Sequence, residues 1–149
     1  MPQNRTSAEI SALYQEMILD HYRRPRNKGT LENPDASVET KNPLCGDEIS
    51  LQVAFAGDSV CDLKFSGRGC SISQASASMM TQLVKGKSTE EIEAIRKQFR
   101  GLMLGDSSVA EDPRLGSLRA LSGVARFPAR VKCALLAWNA LEGALATHK

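Results

Sequence analysis

Three of the four cysteines in this 149-residue chain stand where their neighbours would make a thiol chemically useful. Cys45 follows Asn42-Pro43-Leu44 and precedes Gly46-Asp47, Cys70 follows Gly67-Arg68-Gly69 at the mouth of an expected helix, and Cys133 falls in the second turn of the expected last helix. All three lie at element ends, where side chains from distant stretches can converge at one rim of a sheet. Gly46 lets a thiolate at 45 and a carboxylate at 47 bend toward the same point. Three thiolates and one carboxylate complete a tetrahedral shell for zinc, a borderline-soft ion that accepts S and O ligands. The spacing contains no paired C-x-x-C knuckle, so three separate buried thiols would satisfy the same pattern. Positive potential favours a thiolate at two of the positions, because Cys70 precedes a helix N-terminus and Cys133 is flanked by Arg130 and Lys132.

Other candidate groups read as structural. Cys61 alternates in phase with Leu63 and Phe65 and is expected on a buried strand face as a small hydrophobe. His21 lies on the apolar face of the first helix and His148 stands next to last, and neither neighbours a cysteine motif that would need a base. Lys85-Gly86-Lys87-Ser88-Thr89 ends like a phosphate loop, but Thr81 stands where the first glycine is required and a helix precedes it instead of a strand. A helix C-cap followed by an N-cap uses the same residues. Arg23-Arg24-Pro25-Arg26 with Lys28 suits a solvated helix C-terminus, where cations are favourable.

The elements that must position these groups follow from periodicity. Thr6-Ser7-Ala8-Glu9 is a capping box that opens a helix over about 7–24, stopped by Pro25. A loop over 27–35 and a short strand over 37–41 come next. From Glu48 the period becomes two, with Ile49, Leu51, Val53 and Phe55 on one face, a turn at Gly57-Asp58-Ser59, and a second strand to Ser66. A helix opens at Ser71 and runs to Lys85, its Ala75-Ser76-Ala77-Ser78 stretch suited to close packing. The capping box Ser88 to Glu91 starts another helix carrying Ile92, Ile95 and Phe99, Leu115–Leu121 reads as a short helix, and Pro128 begins the last long one. Helix, strands, then helices indicate an α+β fold with helices on one sheet face.

Composition sets the bounds. With 42% hydrophobic and 24% charged residues, the chain is ordinary for a globular domain, and at about 150 residues per domain one domain spanning 1–149 is expected. A net charge of +2, from 19 basic and 17 acidic side chains, provides no basic stripe, so nucleic-acid binding is not expected. No apolar run approaches the roughly 18 residues of a membrane span, and MPQNRTSAEI carries no apolar signal-peptide core. A cytoplasmic monomer is expected, in which reduced cysteines serve metal or thiol chemistry rather than disulfides.

Three segments then carry a resemblance. Asn42-Pro43-Leu44-Cys45-Gly46-Asp47 is the first, and Gly67-Arg68-Gly69-Cys70-Ser71-Ile72-Ser73 with Ala75-Ser76-Ala77-Ser78-Met79-Met80 is the second. Arg130-Val131-Lys132-Cys133 followed by Leu136-Ala137-Trp138 is the third. With Leu13-Tyr14 and Asp20-His21 near the start, and continuing to Ala146, the chain resembles the IscU/NifU-like family of iron-sulfur cluster assembly scaffolds, within it the zinc-dependent sulfurtransferases of the SufU type. The resemblance implies a three-stranded antiparallel sheet with helices packed on one face, and Zn2+ held by Cys45, Asp47, Cys70 and Cys133. It also implies acceptance of persulfide sulfur from a SufS-type cysteine desulfurase and its passage to downstream Suf assembly proteins. Cys45 matches the sulfur-accepting position and Arg130 a basic position near the site, which makes these two the candidate catalytic residues.

Scaffolds of the IscU type carry a histidine just before the last cysteine and an L-P-P-V-K stretch. This chain has Lys132 and Ala125-Arg126-Phe127-Pro128-Ala129-Arg130 there, with an extended segment between Gly101 and Val124 as in SufU-like chains. Sulfur transfer is therefore favoured. A transient [2Fe–2S] or [4Fe–4S] cluster built on the same three cysteines is the alternative, since thiolates are the usual cluster ligands. A purely structural zinc adaptor is a third reading, against which the oxygen of Asp47 argues, because closed structural sites usually take four S or N ligands.

Overall fold

The computed structural model describes residues 7–44 and 46–148, with side chains from residue 11 onward. The capping box expected at Thr6 and Glu9 involves Thr6, which lies outside the described residues. Helix α1 (Ser7–Arg23) ends where expected, and its basic C-terminus folds onto its own acid: Asp20 pairs with Arg24 at 2.5 Å and with Arg26 at 2.7 Å. Those two guanidiniums, Arg26 foremost, hold the Asp20 carboxyl below the usual carboxylate range.

Strands β1 (Ala36–Asn42), β2 (Asp47–Ala56) and β3 (Ser59–Arg68) form an antiparallel meander in the order β1-β2-β3. On β2 the period of two buries Asp47, Ile49, Leu51 and Val53, as an antiparallel sheet with one covered face requires. The β3 partner does not keep the simple register. A bulge opposite Ala54 and Phe55 lets Asp62 pair with Ala54 and Val60 with Phe55, leaving Cys61 as the extra residue. Cys61 is therefore exposed, its Sγ 3.4 Å from the Ala54 carbonyl oxygen, and the expected core position is taken by Val60. Cys61→Ala is accordingly expected to change stability by less than about 0.5 kcal/mol, the range for exposed sites. Urea denaturation checks this, and a loss several times larger would contradict the register.

Helix α2 (Ser71–Val84) is buried along most of its length between α1 and α4 (Pro128–His148). Its small residues permit that close approach and spend their hydroxyls on it. Ser76 Oγ donates to the Ala134 carbonyl at 2.6 Å, while Ser78 Oγ accepts the Arg26 N–H at 2.8 Å and pairs with His21 Nδ1 at 2.7 Å. His21 is thus structural, as expected. Its burial, helped by the charge of Arg26 and opposed by that of Asp20, pushes its pKa down.

A histidine kept neutral in the fold binds fewer protons than in the unfolded chain, so stability rises with pH through the unfolded value near 6.5 and falls below it. Melting of the metal-free protein should therefore drop between about pH 7 and pH 5, and His21→Gln should flatten that slope. An unchanged slope in the variant would contradict the role.

Lys85 and Ser88 are the caps that the sequence suggested. Lys85 closes α2, and Ser88 opens α3 (Thr89–Met103) with both capping-box bonds to Glu91 formed. In the Gly101–Val124 region a 3-10 turn (Ser107–Val109) comes first, and the short helix expected at 115–121 is part of a longer 3-10 segment (Pro113–Arg126) kinked at Gly116. Asp112 caps this segment by accepting the Arg114 N–H, and bonds from Arg114 and Gln98 hold its carboxyl well below the usual range.

Helix α4 begins at Pro128 and lies against β1 and β2. Trp138 packs on Phe99 with ring centroids 5.2 Å apart, and Thr40 Oγ1 on β1 donates to the Leu136 carbonyl at 3.2 Å. Among the described residues no helix is long and apolar enough to cross a membrane.

Candidate metal centre

The buried face of β2 ends in a carboxylate. Asp47 continues the inward phase of Ile49, Leu51 and Val53, so the pleat turns it under the helices, where it is 1% exposed. A buried charge demands partners. One is the backbone N–H of Cys70, which donates to Asp47 Oδ1 at 2.8 Å across the gap between β3 and α2. Cys70 is the N-cap of α2, with its thiol at the positive end of the helix dipole and its Sγ 3.8 Å from Asp47 Oδ2. The approach is close enough to need Gly69, which has φ +153°: a Cβ there would lie 2.2 Å from Asp47 Oδ1 and 2.7 Å from Ser73 Oγ. Ser73 Oγ in turn donates to the Cys70 carbonyl at 3.1 Å.

Cys133 reaches the same point from α4. Its side chain is fully buried, and its Sγ accepts from Asn42 Nδ2 at 3.8 Å while lying 3.7 Å from the Ala129 carbonyl it donates to. A carboxylate oxygen of Asp47 and the sulfurs of Cys70 and Cys133 all fall within 4.8 Å of one another. Ligands at about 2.0 Å (O) and 2.3 Å (S) from a tetrahedral zinc stand roughly 3.5 Å apart, so this donor set fits such an ion in both chemistry and spacing.

Three of the four residues expected as ligands are therefore brought together from three separate elements. The fourth, Cys45, lies outside the described residues. It belongs to the connection 43–46 that joins the end of β1 to the start of β2, two residues before Asp47; in that connection Gly46 has φ +68°, the left-handed conformation its type permits. Arg130 stands on the first turn of α4, three residues before Cys133. With Ser71, Ile72, Tyr14, Ile18 and Phe127 it lines a groove of about 680 Å³, Ser71 being the residue that follows Cys70 in the chain.

Sequence reasoning missed Asn42. It is buried, pairs with Asp47 in the strand register, and bonds to both the connection and the Cys133 sulfur. An asparagine at a strand end ahead of a proline was the available signal, since Asn commonly bonds to its own backbone two residues on.

The family profile of the NifU-like N terminal domain matches residues 13–149, a span that contains the whole donor cluster. The chain belongs to the NifU-like N-terminal domain family. This NifU-like domain is 50% identical over 146 residues to the zinc-dependent sulfurtransferase SufU of Bacillus subtilis, covering 96% of each chain. It is 45% identical over 138 residues to the iron-sulfur cluster assembly scaffold protein IscU of Streptococcus pyogenes, covering 93% of this chain and 86% of that one. Among solved structures, FiSufU of Fervidobacterium islandicum AW-1 superposes with a TM-score of 0.80 at 39% identity, covering 94% of this chain and 99% of that one. A NifU-like N-terminal protein from Brucella abortus gives 0.82 at 26%, covering 92% and 94%. The expected architecture, a three-stranded antiparallel sheet with helices, is the one this NifU-like domain shares with those structures.

Proposed function

We propose that this NifU-like domain is a zinc-dependent sulfur carrier of iron-sulfur cluster assembly, which accepts persulfide sulfur on Cys45 from a SufS-type cysteine desulfurase. The observation that carries the reading is the convergence of Asp47, Cys70 and Cys133 within 4.8 Å at the sheet rim, directly after the connection that holds Cys45. The ligands of the zinc are Cys45, Asp47, Cys70 and Cys133. When bound, the ion supplies the positive charge that keeps the thiols deprotonated.

Of the three thiols, Cys133 is fixed within α4 and Cys70 at the start of α2, whereas Cys45 belongs to the connection between two strands. The Cys45 thiolate attacks the outer sulfur of the donor persulfide. A new S–S bond forms at Cys45 as the donor's S–S bond breaks, and the donor cysteine leaves as a thiolate, so no net oxidation occurs. Arg130, on the groove wall, offers charge to the persulfide anion. Downstream Suf assembly proteins receive the sulfur.

The oxygen donor separates this reading from a structural zinc adaptor, whose site would be closed by four S or N ligands. Lys132, exposed beside the buried Cys133, favours it over cluster scaffolding, for which the resembling chains place a histidine there. Metal analysis and an absorption spectrum of protein purified without added iron or zinc test the choice. About one zinc per colourless chain is expected; brown protein with cluster bands would contradict it.

A further inference from the structure

Asn42 joins two parts of the thiol cluster through one short side chain. Its Oδ1 accepts the Leu44 N–H at 3.3 Å, inside the connection that leads to Cys45, and its Nδ2 lies 3.8 Å from Cys133 Sγ. The orientation of the amide is fixed by its partners. A backbone N–H can only donate, so the atom facing Leu44 is the oxygen, and the NH2 group is left for the sulfur. Asn42 is buried, and the register sets it opposite Asp47, so the side chain stands among the proposed ligands.

We infer that Asn42 is the positioning residue that decides which cysteine takes the sulfur. The inference rests on the sulfur-carrier reading above. A sulfur that accepts a hydrogen bond has part of its lone-pair density engaged and is a weaker nucleophile, so the amide of Asn42 holds Cys133 in the role of permanent ligand. The same side chain caps the turn that begins the Cys45 connection, leaving that thiol to react. Support of this kind around a metal's ligands is usually worth about 10–100-fold in affinity.

Two substitutions test the role, both of them removing the bond to the Cys133 sulfur. Asn42→Ser keeps an oxygen that can accept from Leu44, as serine does in equivalent turns, but is too short to reach the Cys133 sulfur. Asn42→Ala loses both bonds. Zinc affinity, measured by competition with a chromophoric chelator, is expected to fall about 10–100-fold in both variants. After reaction with the desulfurase and cysteine, mass spectrometry is expected to find the extra sulfur on Cys45 alone in the wild type and divided between Cys45 and Cys133 in both variants.

Melting of the metal-free proteins identifies a variant that is merely unfolded. A folded Asn42→Ser with unchanged zinc affinity, or with weaker zinc but sulfur still confined to Cys45, would overturn the inference. Failure of the sulfur-carrier reading is distinguishable, because the wild type would then take up no sulfur at any cysteine, while the zinc comparison still decides whether Asn42 supports the cluster.

Discussion

Gly69→Ala is expected to cost the chain its zinc while leaving most of the fold in place. The added Cβ would lie 2.2 Å from Asp47 Oδ1 and 2.9 Å from its Cγ, far inside van der Waals contact. Asp47 cannot yield cheaply, because it is buried and its Oδ1 holds the Cys70 N–H at 2.8 Å. Relief requires either swinging the carboxylate out of the cluster or moving the start of α2, and each displaces a proposed ligand. The φ of +153° adds strain for any L side chain. Since loss of a merely supporting contact costs about 10–100-fold in metal affinity, displacement of a ligand should exceed about 100-fold. Chelator competition measures it, and wild-type affinity in the variant would mean that Asp47 is no ligand.

Cys45→Ser should reduce sulfur acceptance to background. Serine preserves the size of the side chain, but its hydroxyl does not ionise near neutral pH and forms no persulfide, so nucleophile and carrier vanish together. Turnover of a SufS-type desulfurase on cysteine should drop to the rate seen without this protein. The melting temperature of the metal-free variant should match the wild type, because the hydrophobic core lies under the helices and not in the 43–46 connection. Undiminished stimulation of the desulfurase by the serine variant would contradict the assignment of Cys45.

The parts of the molecule legible in its sequence are those set by local pattern. The period of two from Ile49 gave β2, and the capping box at Ser88 and Pro128 at the head of α4 gave helix starts. That residues 47, 70 and 133 could converge was legible in their places at element ends, but the spacing suited three separate buried thiols as well, and it was the family resemblance that implied them as a ligand set. What failed was register. Val60, Leu63 and Phe65 cannot share a face under strict alternation, since Val60 has the opposite parity, and burying all three required the bulge that expels Cys61. Strict alternation from Leu63 and Phe65 hid it.

The 3-10 segment over 113–126 is interrupted where the backbone leaves helical geometry at Gly116 (φ 50°, ψ −128°), a break that apolar spacing does not report. The bonds of Asn42 to Cys133 and of His21 to Ser78 join residues 91 and 57 positions apart, and they exist only once the elements have packed.

The central claim is that the site carries sulfur on one particular thiol, and one measurement addresses it directly. Wild-type protein loaded with zinc is incubated with the desulfurase and cysteine, trapped by alkylation under non-reducing conditions, digested and mapped by mass spectrometry. The account predicts one extra sulfur atom on the peptide containing Cys45 and none on those containing Cys61, Cys70 or Cys133. Sulfur found on Cys133 with Cys45 unmodified would contradict it.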